Sequence, residues 1–200
     1  MNPRPLEAAE AAAEAAGVTL DPTSLERLSV LGRWLAEEAI PAGGVGPNEG
    51  AVIGERHVAD SILFAAAWRV PPSSCWDLGS GVGLPGLVLA SIWPATTVVL
   101  VDASERRCDL ARRGARVVGV SIGVRQSRIE DLTGPYEAIV SRATVPAERF
   151  RPILTRLLEP GGRAVISGSG DRETKGFEPL RFPTNEFFDR NSRLLMMCSP

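Results

Sequence analysis

The chain has 200 residues, 44% of them apolar and 23% charged, ordinary proportions for a globular protein of a size that buries roughly 70% of its unfolded surface. A net charge of −2 excludes a global positive field, so any affinity for nucleic acid has to come from a local patch. Three cysteines without C-x-x-C spacing and a lone histidine argue against structural zinc or any other metal site, and no apolar run approaches the ~20 residues that span a bilayer. With no signal-peptide pattern at the N-terminus, a cytoplasmic protein is expected. The basic residues are arginines apart from Lys175, a bias that suits phosphate contacts but that a GC-rich genome explains better.

Residues 5–17, "PLEAAEAAAEAAG", favour a helix that Gly17 stops. Asp21 and Pro22 then supply an N-cap and a first-turn proline for a second helix, in which Leu25, Leu28, Leu31, Trp34 and Leu35 share one face. Residues 40–50, "IPAGGVGPNEG", read as a flexible loop. A third helix is predicted over 55–69, with Val58, Ile62, Phe64 and Ala65 turned inward. From Ser73 onward short strands alternate with helices: strands at 75–78, 97–101, 121–125, 138–141 and 164–167, helices at 85–92, 105–115 and 148–158, and a last buried strand over 192–199. That alternation implies a mostly parallel sheet covered on both faces. The expected organisation is an N-terminal helical extension, residues 1–70, on an α/β core, residues 71–200.

The loop "DLGSGVGLPG", residues 77–86, carries two overlapping patterns. One is the G-x-G-x-x-G of dinucleotide sites; the other is the acidic-x-G-x-G-x-G of S-adenosylmethionine sites. Glycines after a first strand let the backbone turn sharply and approach a ligand. Asp102, closing the second strand, can accept bonds from both ribose hydroxyls of a nucleoside. These features fit NAD and S-adenosylmethionine alike. Asp77 separates them, since a carboxylate there attracts a cationic methionine end and repels a pyrophosphate. "LLEPGGRAVI", residues 157–166, also resembles the proline-glycine-glycine turn before the fifth strand of class I methyltransferases, a Rossmann-like fold with a mostly parallel seven-stranded sheet.

The segments "ERHVADS" (55–61), "DLGSGVGLPGLVLA" (77–90), "QSRIED" (126–131) and "VSRA" (140–143) occur in an order and at intervals that resemble the glucose-inhibited division protein B family. Its members methylate guanine N7 in 16S ribosomal RNA of the small ribosomal subunit. The resemblance implies S-adenosyl-L-methionine as cofactor, with 16S rRNA or the small subunit as partner, no membrane, and a monomer as the favoured state. Asp77, Gly79, Gly81 and Gly83 are then expected around the methionine end and Asp102 at the ribose. Ile129 and Glu130 fall beside the adenine, and Ser80, Leu84 and Ala103 complete the cofactor contacts. Arg128 and Arg142 match arginines near the cofactor and target base, where an arginine can bond guanine O6 or stack on the ring; the competing reading pairs them with a carboxylate such as Asp60. His57 and Asp60 share a helix face near the mouth of the site, or dock that helix on the sheet.

Arg106, Arg107, Arg112, Arg113 and Arg116 form either an RNA phosphate track or, by default, a solvated helix face. The sequence departs from the family at 42–50, where an asparagine-leucine-threonine segment is usual. It departs again at the fifth-strand exit, 165–171, which lacks the usual lysine, and at 170–180, too short for the usual helix. A divergent methyltransferase acting on another RNA or a small molecule, and a catalytically silent binding module, are the alternatives these departures leave.

Overall fold

A computed structural model describes residues 4–142, 145–168, 174–183 and 194–200, with the backbone alone at 4, 5, 55 and 56. Helix α1 (Arg4–Ala16) ends where Gly17 turns left-handed at φ 69°. Helix α2 (Pro22–Trp34) starts as the sequence predicts, with the Ser24 amide donating to Asp21 Oδ1 at 2.7 Å, and runs on through a wider π-helical turn, Leu35–Ala39. Its apolar stripe is buried at Leu28, Leu31, Trp34 and Leu35. The third helical stretch is composite and begins earlier than predicted. It opens with a 3-10 turn Gly50–Val52, passes through a π-helical segment Ile53–Ala59, tightens to helix α3 (Asp60–Leu63), and closes in a 3-10 turn Phe64–Ala67. Its inward face, Val58, Ile62, Phe64 and Ala65, is buried as expected. Arg69 lies outside it, because the chain turns extended at Trp68.

The expected seven-stranded, mostly parallel sheet follows. Its strands are β1 (Ser74–Leu78), β2 (Thr97–Asp102), β3 (Gly123–Gln126), β4 (Tyr136–Ser141), β5 (Leu158–Ser167), β6 (Glu178–Leu180) and β7 (Leu194–Cys198). They lie in the order β3-β2-β1-β4-β5-β7-β6, with β7 antiparallel to both its neighbours. Helices α4 (Gly86–Ile92), α5 (Glu105–Val118) and α6 (Ala147–Leu157) make the crossovers.

Side chains of a strand alternate between faces, and the sheet sorts them into two cores. Cys75, Val98, Leu100, Ala138 and Val140 face α1, α2, the 50–67 stretch, α4 and α5. Leu78, Val101, Ile139, Ala164 and Ile166 face α6 through Phe150, Leu154 and Leu157. Each fully enclosed Val, Leu, Ile or Phe side chain among them contributes ~1.5–3 kcal/mol.

The boundaries that differ from expectation have local causes. Helix α5 extends to Val118 rather than 115, since Gly119 at φ 74° is the first residue to leave the helical region. Strand β3 starts at Gly123 and not 121. Strand β5 starts at Leu158 rather than 164: three residues of β4, Tyr136 to Ala138, face a six-residue span from Leu158 to Arg163, so the proline-glycine-glycine turn is a bulge inside the strand. Ser199 closes that bulge, its amide donating to the Gly162 carbonyl and its own carbonyl accepting from the Gly161 amide. Strand β6 is an unanticipated edge strand, and an edge tolerates its Pro179. The predicted last strand forms at Leu194–Cys198; residues 192 and 193, 169–171 of the lysine-less fifth-strand exit, and 172 and 173 of the short segment after it lie outside the described residues.

Candidate active site

The carboxyl ends of β1, β2 and β4 meet at the point where the strand order reverses, the place a ligand crevice forms in an open α/β sheet. The glycine loop crosses it. Gly79 and Ser80 donate their amides to the Val101 carbonyl at 2.8 and 2.9 Å, which ties the loop to β2. Gly79, Gly81 and Gly83 hold φ of 72°, 59° and 101°, values that other residues adopt only under strain. Above Gly81 there is room: a Cβ built there meets no heavy atom within 4 Å. Ser80 and Leu84 are buried at 4% and 3% exposure, Leu84 within the helical-side core, so neither side chain is open to a ligand.

Asp102 clips this loop. Its Oδ2 accepts from the Gly81 amide at 3.0 Å and its Oδ1 from the Ser104 amide at 2.9 Å. Each carboxylate oxygen has a second lone pair, so the clip leaves acceptors for a pair of hydroxyls. Ala103 is exposed beside it. The Ser127 amide donates to the Asp102 carbonyl at 3.1 Å, which brings Arg128, Ile129 and Glu130 to the same rim. Ile129–Asp131 form a 3-10 turn in which Ile129 is half-buried, with Arg128 and Glu130 exposed. Arg156 fixes that turn from below, donating to the Leu132 carbonyl at 2.5 Å and the Glu130 carbonyl at 3.1 Å.

Asp77 is fully buried beneath the loop. Its Oδ2 accepts from the Gly86 amide at 2.8 Å at the start of α4, and its Oδ1 has no partner among the described residues. Burial pushes its carboxyl up to about 7, partly offset by the Gly86 bond and the nearby Arg142 cation, with the Asp102 charge adding to the rise. A cation over the loop would complement this oxygen. The open space at Gly81 and the orphaned acceptor at Asp77 together fit a cationic nucleoside cofactor.

Arg142 follows β4, where Ser141 donates its hydroxyl to the Leu78 carbonyl at 2.7 Å and so locks the ends of β1 and β4 together. Arg142 Nη2 lies 3.3 Å from His57 Nδ1, and His57 Nε2 lies 3.1 Å from Glu49 Oε2. The helical region thus delivers side chains to the sheet's active end. Asp60 is half-buried on the same stretch as His57. Ala143, the last letter of the "SRA" signal, lies outside the described residues.

The arginines of α5 are largely engaged within the chain. Arg106 donates to the Ala42 carbonyl, Arg107 lies 3.8 Å from Asp102, Arg112 pairs with Asp109 at 2.8 Å, and Arg113 with Glu38 at 2.7 Å. Sequence reasoning overlooked Glu49, Arg156 and Ser141. Their roles depend on chain segments brought together only by the fold, although Glu49 is the lone carboxylate in the 40–50 loop.

Among the described residues no group of His, Cys, Asp and Glu is placed to hold a metal ion, and no helix is long and apolar enough to cross a membrane. Among solved structures the fold is similar to magnesium protoporphyrin IX methyltransferase from Synechocystis with bound S-adenosylmethionine, with TM-score 0.57 and 16% identity over 91% of this chain and 99% of that one. It is also similar to a Thermus thermophilus 16S rRNA N2 G1207 methyltransferase, with TM-score 0.52 and 16% identity over 91% of this chain and 44% of that one. In sequence it is 37% identical to ribosomal RNA small subunit methyltransferase G of Frankia alni over 90% of this chain and 69% of that protein. It is 34% identical to the Mycolicibacterium gilvum protein of that name, over 74% of this chain and 66% of the relative, so the match spans about two thirds of these relatives' length. A family model for rRNA small subunit methyltransferase G matches residues 26–176, and the chain belongs to that family.

Proposed function

We propose that this chain is an S-adenosylmethionine-dependent methyltransferase that modifies guanine N7 in 16S rRNA of the small ribosomal subunit. One observation carries the reading: a glycine loop, clipped by Asp102 and open above Gly81, spans the sheet's switch point over a buried Asp77 carboxyl that has an unused oxygen. Family membership supplies the substrate class.

The donor, when bound, supplies a methyl group on a sulfonium sulfur, and the guanine N7 lone pair takes that carbon while the carbon–sulfur bonding pair returns to sulfur. Guanine N7 carries no proton, so no side chain has to act as a base. The chain's work is then positioning and control of charge. Asp102 holds the ribose hydroxyls, and its charge-assisted bonds contribute ~1.5–3 kcal/mol each. The turn around Ile129 and Glu130 flanks the adenine, Asp77 faces the cationic methionine end, and Arg142 and Arg128 hold the guanine by O6 or by stacking.

Small subunits from a strain lacking 7-methylguanosine, incubated with labelled donor and digested to nucleosides, should yield labelled 7-methylguanosine from 16S rRNA. Label in another nucleoside or another RNA assigns the chain to a divergent activity. No transfer, together with no calorimetric binding of S-adenosylhomocysteine, reduces it to a binding module.

A further inference from the structure

Glu49, His57 and Arg142 form a hydrogen-bonded chain from the loop before the third helical stretch to the end of β4. It is sheltered: the imidazole is 12% and the Glu49 side chain 23% exposed. A guanidinium has only donors and keeps its proton. His57 Nδ1, 3.3 Å from Arg142 Nη2, therefore presents a lone pair, and the ring proton sits on Nε2, where the Glu49 carboxylate accepts it. His57 lies in the π-helical segment Ile53–Ala59, and Ser61 Oγ donates to the His57 carbonyl at 2.5 Å.

We propose that His57, as the neutral Nε2–H tautomer oriented by Glu49, is a positioning residue that aims the Arg142 guanidinium at the methyl-accepting base. The inference rests on the function proposed above for Arg142, and its test has an arm that needs no substrate.

The chain carries one histidine, so untagged protein labelled with 15N gives a single imidazole spin system. The expected spectrum has the proton on Nε2 and a hydrogen-bonded Nδ1 whose resonance moves in Arg142→Ala. An Nδ1–H tautomer, or a spectrum indifferent to Arg142→Ala, overturns the proposal. The kinetic arm uses two amides. The side-chain oxygen of Asn occupies the place of Nδ1 and can still accept from Arg142, whereas Gln reaches only the place of Nε2. His57→Asn should keep kcat within about threefold, while His57→Gln and His57→Ala lose about tenfold in kcat, with the KM for the donor changed less than about twofold. Equal impairment of all three variants makes His57 a packing residue and sinks the proposal. A wild-type chain that fails to methylate 16S rRNA sinks the proposed function instead, and the spectrum still decides the tautomer.

Discussion

Asp77 is an acid at the tip of a central strand, enclosed on all sides, with one oxygen bonded and one not. Its carboxyl ionises near 3.8 in the unfolded chain and near 7 in the native one. Between those values the native state holds the extra proton, so stability falls as pH rises, by at most about 1.4 kcal/mol per pH unit and a few kcal/mol in all. Urea midpoints should decline from pH 5.5 to 8 in the wild type. Asp77→Asn, which removes the buried ion, should flatten that decline and be the more stable protein at pH 8 by about 1–3 kcal/mol. An undiminished slope in the variant places the titrating group elsewhere. The neighbouring glycines separate backbone strain from crowding. Gly81→Ala meets open space but a φ of 59°, so it should lose about 1–2 kcal/mol of stability and weaken S-adenosylhomocysteine binding at least about tenfold in calorimetry, because its methyl enters the ligand's room. Gly86→Ala should be worse for folding, since its Cβ would overlap Leu100 and the Asp77 carboxylate. The glycines and Asp102 were legible in sequence because only a few residue types serve such a turn. That Asp77 also caps the start of α4 was not, since the bond to the Gly86 amide depends on how the loop folds back.

The loop between α2 and the third helical stretch, where the chain departs from its family's usual segment, packs on the glycine loop. Arg106 grips the Ala42 carbonyl, and Gly44 sits so close to Val82 and Leu110 that a Cβ would overlap both. This loop therefore braces the glycine loop from outside. Gly44→Ala should lower the melting temperature by several degrees, about 1–2 kcal/mol, and weaken donor binding several-fold by displacing the glycine loop; unchanged affinity would show the two loops to be independent. Helix-favouring composition and the punctuation at Gly17, Asp21 and Pro22 made α1 and α2 readable, whereas the caps of α5, Ser104 and Gly119, went unread and its end was placed three residues early. The π-helical segment carrying His57 was not readable, because its apolar spacing resembles that of an ordinary helix and the difference is made by packing against α1 and α2. Strand β5 hid its first half for a similar reason: a Pro-Gly-Gly sequence says turn, and only pairing with Tyr136 and Ser199 makes it a bulged strand. The α5 arginines gave two readings in sequence, and their partners favour structural use. Replacing Arg112 and Arg113 with Gln should cost less than about 1 kcal/mol each, as exposed ion pairs do.

Across the whole molecule the helical region and the sheet share one core. Leu31, Trp34 and Ile62 lie in the same buried cluster as Val98, Leu100 and Val140. Unfolding should therefore be a single event. Tryptophan fluorescence, with Trp34, Trp68 and Trp93 on the helical side and Trp76 on β1, should trace the same urea curve as far-ultraviolet ellipticity. Two separated transitions would mean that residues 1–70 fold on their own. The parallel pairing was within reach of the sequence, because strands alternate with helices, whereas the strand order and the antiparallel insertion of β7 between β5 and β6 are long-range choices that no local pattern encodes.

The order of the strands also sets how the backbone breathes. β1 and β4 lie at the centre of the sheet, flanked on both sides by hydrogen-bonded neighbours, while β3 and β6 are its margins. In deuterium oxide the amides of β1 and β4 should be the last to exchange and those of β3 and β6 among the first. The rim that would hold the adenine hangs from the margin at β3, and the acid that would face the methionine end is rooted at the slow-exchanging centre. A ligand lying between them would join the loosest part of the molecule to its tightest, and protection of β3 amides on adding S-adenosylhomocysteine should be the largest local change in the exchange map.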